Sequence, residues 1–406
     1  MATETIEVEG HIIDSLILAK ILDTIVGAGA DYRILDVSIG RTNTDTSRAV
    51  LQIDAIDDDA LASIIEVLQV HGANRVGDRD AQTVACDQDG VLPAGFYSTT
   101  NLPTDVRIDG RWLPVLNPEM DCGLVVATAG PGAEIVRTAP MHKVTRGDRV
   151  VVGGDGVRVQ LLPSDRSGGT FEFMNSDVSS EKPKALLVAQ VADRLVACRE
   201  RGGRVLLVCG PAVVHTGAAP DVARLVRDGW INVLFAGNGF ATHDIESNVL
   251  GTSLGVSVDA GLPVEHGHSN HLRVINEVRR WGSIEAAVDG GYVTGGVMYE
   301  CVRKPIPFVL GGSIRDDGPL PDVFRDVVAA ADTMRENIAG VEVALMLAST
   351  LHGIATGNIL PAGIETFCVD INHAVLTKLA DRGSHQALGI VTDVGLFMRD
   401  LSARLP

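Results

Sequence analysis

The hydrophobic positions of this chain change their period twice, and the changes divide it into three regions. Residues 5–10 alternate as a strand, whereas residues 12–27 carry apolar side chains at helical spacing. Residues 33–38 and 50–55 read as strands on either side of the polar turn RTNTDTS (residues 41–47). An acidic run then opens a second amphipathic helix over residues 58–71, where carboxylates suit the positive helix end. A short strand at residues 74–76 completes a β-α-β-β-α-β order, the ferredoxin-like pattern. Residues 1–84 are therefore expected to form a ferredoxin-like α+β domain. With no nucleophile or paired acids standing out, it is expected to serve packing and oligomerisation, or to bind an effector.

Residues 85–182 change character. Short β-rich pieces (DVRIDGRWL, CGLVVATA, DRVVVGG, VRVQLL) are separated by Gly, Pro and Asp, which predicts a small antiparallel barrel or sandwich. Residues 163–184, with SDRSGG and SSEKPK, have the composition of a linker.

From residue 183 to 406 the period changes again. RVLLVCG, NVLFAGN, PFVLGGS, VALMLAS, TFCVD and LGIVTD are near-continuous apolar runs. Helical stretches fall between most of them, the longest expected over residues 320–339. Apolar strands alternating with helices predict an α/β domain: a doubly wound, mainly parallel, Rossmann-like sheet covered on both faces. In such sheets a ligand lies beyond the carboxyl ends of the strands, so residues just after each strand are the candidates.

Composition narrows the picture. The 406 residues carry 34 Lys and Arg against 52 Asp and Glu, a net charge of −18, which disfavours general nucleic-acid binding. No apolar run reaches the roughly 18 residues of a membrane span, and no basic segment precedes an apolar stretch at the N-terminus. A soluble cytoplasmic protein with no membrane partner is expected. Six scattered cysteines without a CxxC pair predict buried free thiols. The 44 glycines, without a short repeat, imply many turns and close backbone approaches.

Small and polar residues do follow the apolar runs. Asn238 and Gly239 follow NVLFAG; Arg315, Asp316 and Asp317 follow PFVLGGS; Ser349, Thr350, Leu351 and His352 follow VALMLA. Asp370 closes TFCVD, and Asp393 with Val394 closes GIVTD. Asp370 lies 21 residues after Ser349, near the spacing of about 20 at which an acid meets an adenosine ribose, and a carboxylate there favours NAD over NADP. The turn is not GxGxxG, since only Gly353 is available for close approach, and an ordinary βαβ unit stays open.

A second constellation is Glu265, His266, His268 and His271 in VEHGHSNH, which His215, His243 and Asp244 could join from neighbouring loops. Imidazoles and carboxylates at this density suit a substrate and proton-transfer pocket or a satisfied structural network; no metal is expected, spacing being weak support for one. A third stretch, DGGYVTGGVMYECVRK (residues 289–304), offers Glu300 or Cys301 to a pocket, or simply packs as a helix.

GHIIDS, AGNGFATHDIE, EHGHSNH, GGSIRDDGPLPD and the unit over residues 350–370 together resemble one family, and the resemblance covers nearly the whole chain. It is the family named for a lysine-oxoglutarate reductase/saccharopine dehydrogenase conserved region. Its members include archaeal-type NAD-dependent ornithine cyclodeaminases and the C-terminal part of cyanobacterial arginine dihydrolase/ornithine cyclodeaminase fusions. The arginine-hydrolysing domain of the fusions has no counterpart here, so arginine is not the expected substrate.

The resemblance implies conversion of L-ornithine to L-proline and ammonia, with hydride recycled through bound NAD, by a homo-oligomer. It implies NAD contacts at Asn238, Gly239, Asp316 or Asp317, Ser349–His352, Asp370, Asp393 and Val394. Gly239 departs from the alanine expected there, a change that a backbone contact would survive. For proton transfer the candidates are Asp244, Glu265, His266 and His268, and for the substrate carboxylate Arg273 or Arg315. The alternatives are an NAD-dependent dehydrogenase of a lysine- or saccharopine-like amino acid, and a non-catalytic NAD or amino-acid sensor.

Overall fold

The computed structural model describes residues 2–13, 15–41, 45–69, 71–77, 79–130, 133–161, 178–179, 184–253, 256–257, 269–316, 318–381 and 387–406. The chain divides into two compact units, Met1–Glu172 with Leu360–Gly363, and Phe173–Ile359 with Ile364–Pro406.

The first unit opens with β1 (Ala2–Gly10), α1 (Ile17–Gly27), β2 (Asp31–Ser38), β3 (Ser47–Ala55), α2 (Asp58–Gln69) and β4 (Ala73–Arg75). The sheet order is β2-β3-β1-β4 with every pair antiparallel, the ferredoxin-like arrangement. Alternation works as anticipated: Ile6, Val8, Leu51 and Ile53 face Ile21, Ile25, Ile65 and Leu68 of the helices, all buried. Helix α1 starts later than its apolar spacing suggests, because Leu16 takes the left-handed φ of 59° and breaks the turn before it. Asp57 caps α2, its Oδ1 accepting the Ala60 N–H at 2.8 Å.

The same unit continues with β5 (Gln82–Ala85), β6 (Thr104–Ile108), β7 (Arg111–Leu116), β8 (Gly123–Thr128), β9 (Glu134–Ala139), β10 (Arg149–Val152) and β11 (Val157–Val159). These form one seven-stranded sheet in the order β11-β6-β7-β9-β8-β10-β5. It is not wholly antiparallel, as the sequence suggested: β9 pairs with β8 but inserts beside β7 in parallel, Val115 opposite Val136. The expected linker over residues 163–184 falls almost wholly outside the described residues.

The second unit holds β12 (Val178–Ser179), α3 (Lys184–Glu200), β13 (Arg204–Cys209), α4 (Ala212–His215), α5 (Ala219–Arg227), β14 (Val233–Gly237) and α6 (Asn238–Leu250). A two-stranded pair, β15 (Thr252–Ser253) and β16 (Val256–Ser257), precedes α7 (Asn270–Trp281), α8 (Ile284–Asp289) and α9 (Val297–Arg303). Then come β17 (Phe308–Gly311), β18 (Val323–Phe324), α10 (Val327–Asn337), β19 (Val341–Leu347), α11 (Leu351–Ile359), β20 (Glu365–Asp370), α12 (His373–Asp381), β21 (Ala387–Val391) and α13 (Val394–Arg404). The eight-stranded sheet is parallel throughout, in the order β12-β21-β20-β19-β13-β14-β17-β18. Its apolar runs are continuous because helices cover both faces, burying Leu207, Leu234, Leu345 and Phe367.

Residues 320–339 are not one helix. Residues 323–324 pair with β17, and α10 begins only after Asp326, whose Oδ1 accepts the N–H groups of Val328 (2.8 Å) and Ala329 (3.3 Å). All six cysteines are buried, and none is in a disulfide. Among the described residues, no helix is long and apolar enough to cross a membrane.

Candidate active site

From β13 the chain winds outward through β14 and β17, whereas from β19 it winds the other way through β20 and β21. The turns leaving adjacent β13 and β19 therefore diverge, and a crevice opens where the winding reverses. A cleft of about 570 Å³ occupies this position. Its walls come from Gly210, Pro211 and His215 after β13, Gly237–Phe240 after β14, Ser313, Arg315 and Asp316 after β17, and Ala348–His352 after β19. His243 of α6 and His271 with Ile275 of α7 close one side.

The backbone here is packed too closely for most side chains. A Cβ on Gly210 would sit 1.8 Å from the Ala348 carbonyl oxygen, so the two diverging turns nearly touch. Ala348 itself holds a left-handed φ of 46°, a conformation costing an alanine about 1 kcal/mol or more. Gly237 and Gly311 leave room for the His352 ring: added Cβ atoms would lie 2.7 Å from its Cε1 and 3.0 Å from its Nε2, respectively. Gly353, the glycine singled out from the sequence, meets only Met346 Sδ at an ordinary 3.7 Å.

Helix α6 points its N-terminus at the cleft, and its cap residue, Gly237, supplies no side chain to cover the first-turn N–H groups. Such an end favours an anion. Asn238 is buried and ties two walls together, its Oδ1 accepting the Leu320 N–H at 3.0 Å. Asp316 Oδ2 accepts the Ser313 N–H at 2.8 Å and shapes the turn that carries Arg315. Burial holds the His352 imidazole below its ordinary pKa, opposed by nearby Asp316.

The second wall is a chain of polar groups. His243 Nδ1 lies 2.8 Å from Glu246 Oε2, on the same face of α6. The fully buried Glu246 accepts the Thr252 hydroxyl at 2.8 Å through Oε1, and Asn270 Nδ2 donates to that hydroxyl at 2.9 Å. His215 meets the His243 ring edge-on, centroids 4.9 Å apart, and its Nδ1 lies 2.6 Å from Ser253 Oγ. Burial, then neighbouring His243, lower the His215 pKa to about 4, so it is neutral near pH 7.

Of the sequence candidates, the cleft gathers Asn238, Gly239, Arg315, Asp316, Ser349, Thr350, Leu351 and His352. Asp370 ends β20, beside β19, and its Oδ1 accepts the Asn372 N–H at 2.7 Å. Asp393 caps α13 through Leu396 N–H, and Val394 is buried behind it. These three do not line the cleft itself.

Two assignments are corrected. Asp244 is fully buried and turned away from the cleft, its two oxygens accepting the Val297 (3.0 Å) and Met298 (2.8 Å) N–H groups at the start of α9. Arg273 is exposed on α7 and is not among the lining residues. Glu300 likewise serves structure, pairing with Arg227 at 3.0 Å, and Cys301 is buried. Glu265, His266, His268 and Asp317 lie outside the described residues. Glu246, Thr252 and Asn270 were given no role from sequence, although the three-residue spacing of His243 and Glu246 signals one helix face.

Three family models match the chain: the LOR/SDH bifunctional enzyme conserved region over residues 3–102, and two regions of the arginine dihydrolase ArgZ-like C-terminus. The first of those regions spans residues 103–188, and the Rossmann-fold region spans residues 189–401. A Methanothermobacter thermautotrophicus protein named ornithine cyclodeaminase is 48% identical, covering 98% of this chain and 96% of its own. The apo structure of ArgZ, an arginine dihydrolase from the ornithine-ammonia cycle in cyanobacteria, superposes with a TM-score of 0.86 at 38% identity. It covers all of this chain, which spans 58% of ArgZ. A ternary complex of AgrE with ornithine and NAD+ matches all of this chain at 42% identity and a TM-score of 0.54, with 57% of AgrE covered.

Proposed function

We propose, from the premise that this chain belongs to the family of the archaeal ornithine cyclodeaminases and the ArgZ-like C-terminal region, that it is an NAD-dependent ornithine cyclodeaminase. It converts L-ornithine to L-proline and ammonia. The single observation that carries this reading is a switch-point cleft with glycine-lined walls in a chain that matches, along its whole length, a relative solved with ornithine and NAD+.

The residues present fit a dinucleotide. Gly210, Gly237 and Gly311 keep the walls free of Cβ atoms, and the uncapped first turn of α6 at Asn238 and Gly239 suits a pyrophosphate. Ser349–His352 and Asp316 would complete the cradle, with Asp370 on the adenosine ribose and Asp393 and Val394 at the next strand end. When bound, NAD would accept electrons from the ornithine α-carbon and return them to the cyclic imine.

The chain's own residues bind, orient and move protons. Arg315 would pair its planar guanidinium with the substrate carboxylate. Neutral His352, held between Gly237 and Gly311, fixes one wall in place. Both substrate amines arrive protonated and must lose protons to react, a task for acids and imidazoles around the cleft. Glu265, His266 and His268 remain assigned to it. The test is incubation of purified protein with ornithine and NAD. Equimolar proline and ammonia without net NADH are expected; NADH accumulating without proline would point to a dehydrogenase of a lysine- or saccharopine-like amino acid.

A further inference from the structure

We propose that His243 is the base that takes a proton from the substrate ammonium, and that Glu246 positions it; this deepens the ornithine reading and rests on it. Among the described histidines of the cleft, only His243 has a carboxylate on its Nδ1. That contact holds the ring proton on Nδ1 and leaves the lone pair on Nε2. The ring side chain is 12% exposed at the cleft while Glu246 is 0% exposed behind it, so the pair has a wet side and a dry side.

Glu246 accepts the Thr252 hydroxyl of β15, and that hydroxyl in turn accepts from Asn270 of α7. A buried carboxylate held this way keeps the His243 ring fixed at the cleft wall. Among the described residues, the titratable groups facing His243 are Glu246, His215 of α4 and His271 of α7, the last with ring centroids 6.3 Å away. His215 stays neutral and adds no opposing charge, and Asp244 is turned toward α9. Among the described residues His352 has no such partner and is packed against Gly237 and Gly311.

An N–H bond of the δ-ammonium breaks, its electron pair stays on nitrogen, and the proton bonds to His243 Nε2. The neutral amine attacks the oxidised α-carbon, and His243 passes its proton to the departing α-nitrogen. The ring nitrogen gives its extra proton to the now neutral His243 as ammonia leaves and the C=N bond forms. The proton that the α-ammonium loses before oxidation goes to the other acids and imidazoles assigned to the site.

The test uses full-length His243→Gln, Glu246→Gln and Glu246→Asp. Proline formation is followed across pH, with NAD binding and melting temperature as controls. His243→Gln is expected to lower kcat about 100-fold or more, with NAD affinity kept within about twofold. Its proton exchange on binding ornithine, read calorimetrically in two buffers of different ionisation heat, should drop. Glu246→Gln removes the carboxylate that fixes the His243 ring, so kcat should fall about tenfold while KM for ornithine stays within about twofold. Glu246→Asp should recover part of that loss. Retention of kcat within about threefold in His243→Gln, or an unchanged kcat in Glu246→Gln, overturns the proposal while leaving the ornithine reading intact. No proline from the unaltered protein overturns that reading and this proposal with it.

Discussion

His243 and Asp244 are neighbours in sequence but belong to different machinery. An α-helix turns about 100° per residue, so adjacent side chains diverge while those three apart share a face. His243 therefore meets Glu246 at the cleft, and Asp244 meets the backbone of α9. Asp244 was a proton-transfer candidate in the sequence; helical phase shows why Glu246 is the partner of His243. Asn238 and Ser349–His352 were legible because the strand-end rule depends only on where apolar runs stop. The glycines that matter were not, since close approach is set by chain segments distant in sequence, as Gly237 to His352 shows. Gly237→Ala would place a Cβ 2.7 Å from His352 Cε1 and displace that ring. Its Kd for NAD, measured calorimetrically, is expected to rise about tenfold, or ~1.4 kcal/mol, with the fold retained; an unchanged Kd would contradict this role for the wall.

At the scale of elements, α9 owes its start to a carboxylate supplied by α6. Burial raises the Asp244 pKa from 3.8 to about 6 against the opposing pull of the Met298 and Val297 N–H groups. The folded chain thus holds this proton more tightly than the unfolded chain. The contribution to stability is fully present below about pH 3.8 and is lost as pH rises through about 6, a swing of about 3 kcal/mol. Asp244→Asn keeps one acceptor and removes the titration, costing about 1 kcal/mol at about pH 4. Denaturant unfolding should show the advantage of the unaltered chain over this variant shrinking by about 2 kcal/mol between about pH 4 and pH 7. A gap independent of pH would contradict the account. Local caps also explain where element boundaries escaped the apolar pattern: Leu16 delays α1 and Asp326 delays α10. The parallel insertion of β9 beside β7 is a tertiary choice that alternation along single strands does not encode.

For the molecule as a whole, a parallel sheet that reverses its winding between β13 and β19 concentrates function at one place. Apolar runs alternating with helices made that architecture legible. The order of strands is what puts Gly210 against Ala348 and opens the cleft there. The central claim is that this cleft oxidises ornithine at its α-carbon and reduces the same carbon again before anything escapes. Ornithine carrying deuterium at the α-carbon, turned over with unlabelled NAD in ordinary water, tests it directly. Proline that keeps the deuterium on the same carbon is the predicted result; proline in which that position carries hydrogen from solvent, or deuterium accumulating in free NADH, would contradict it.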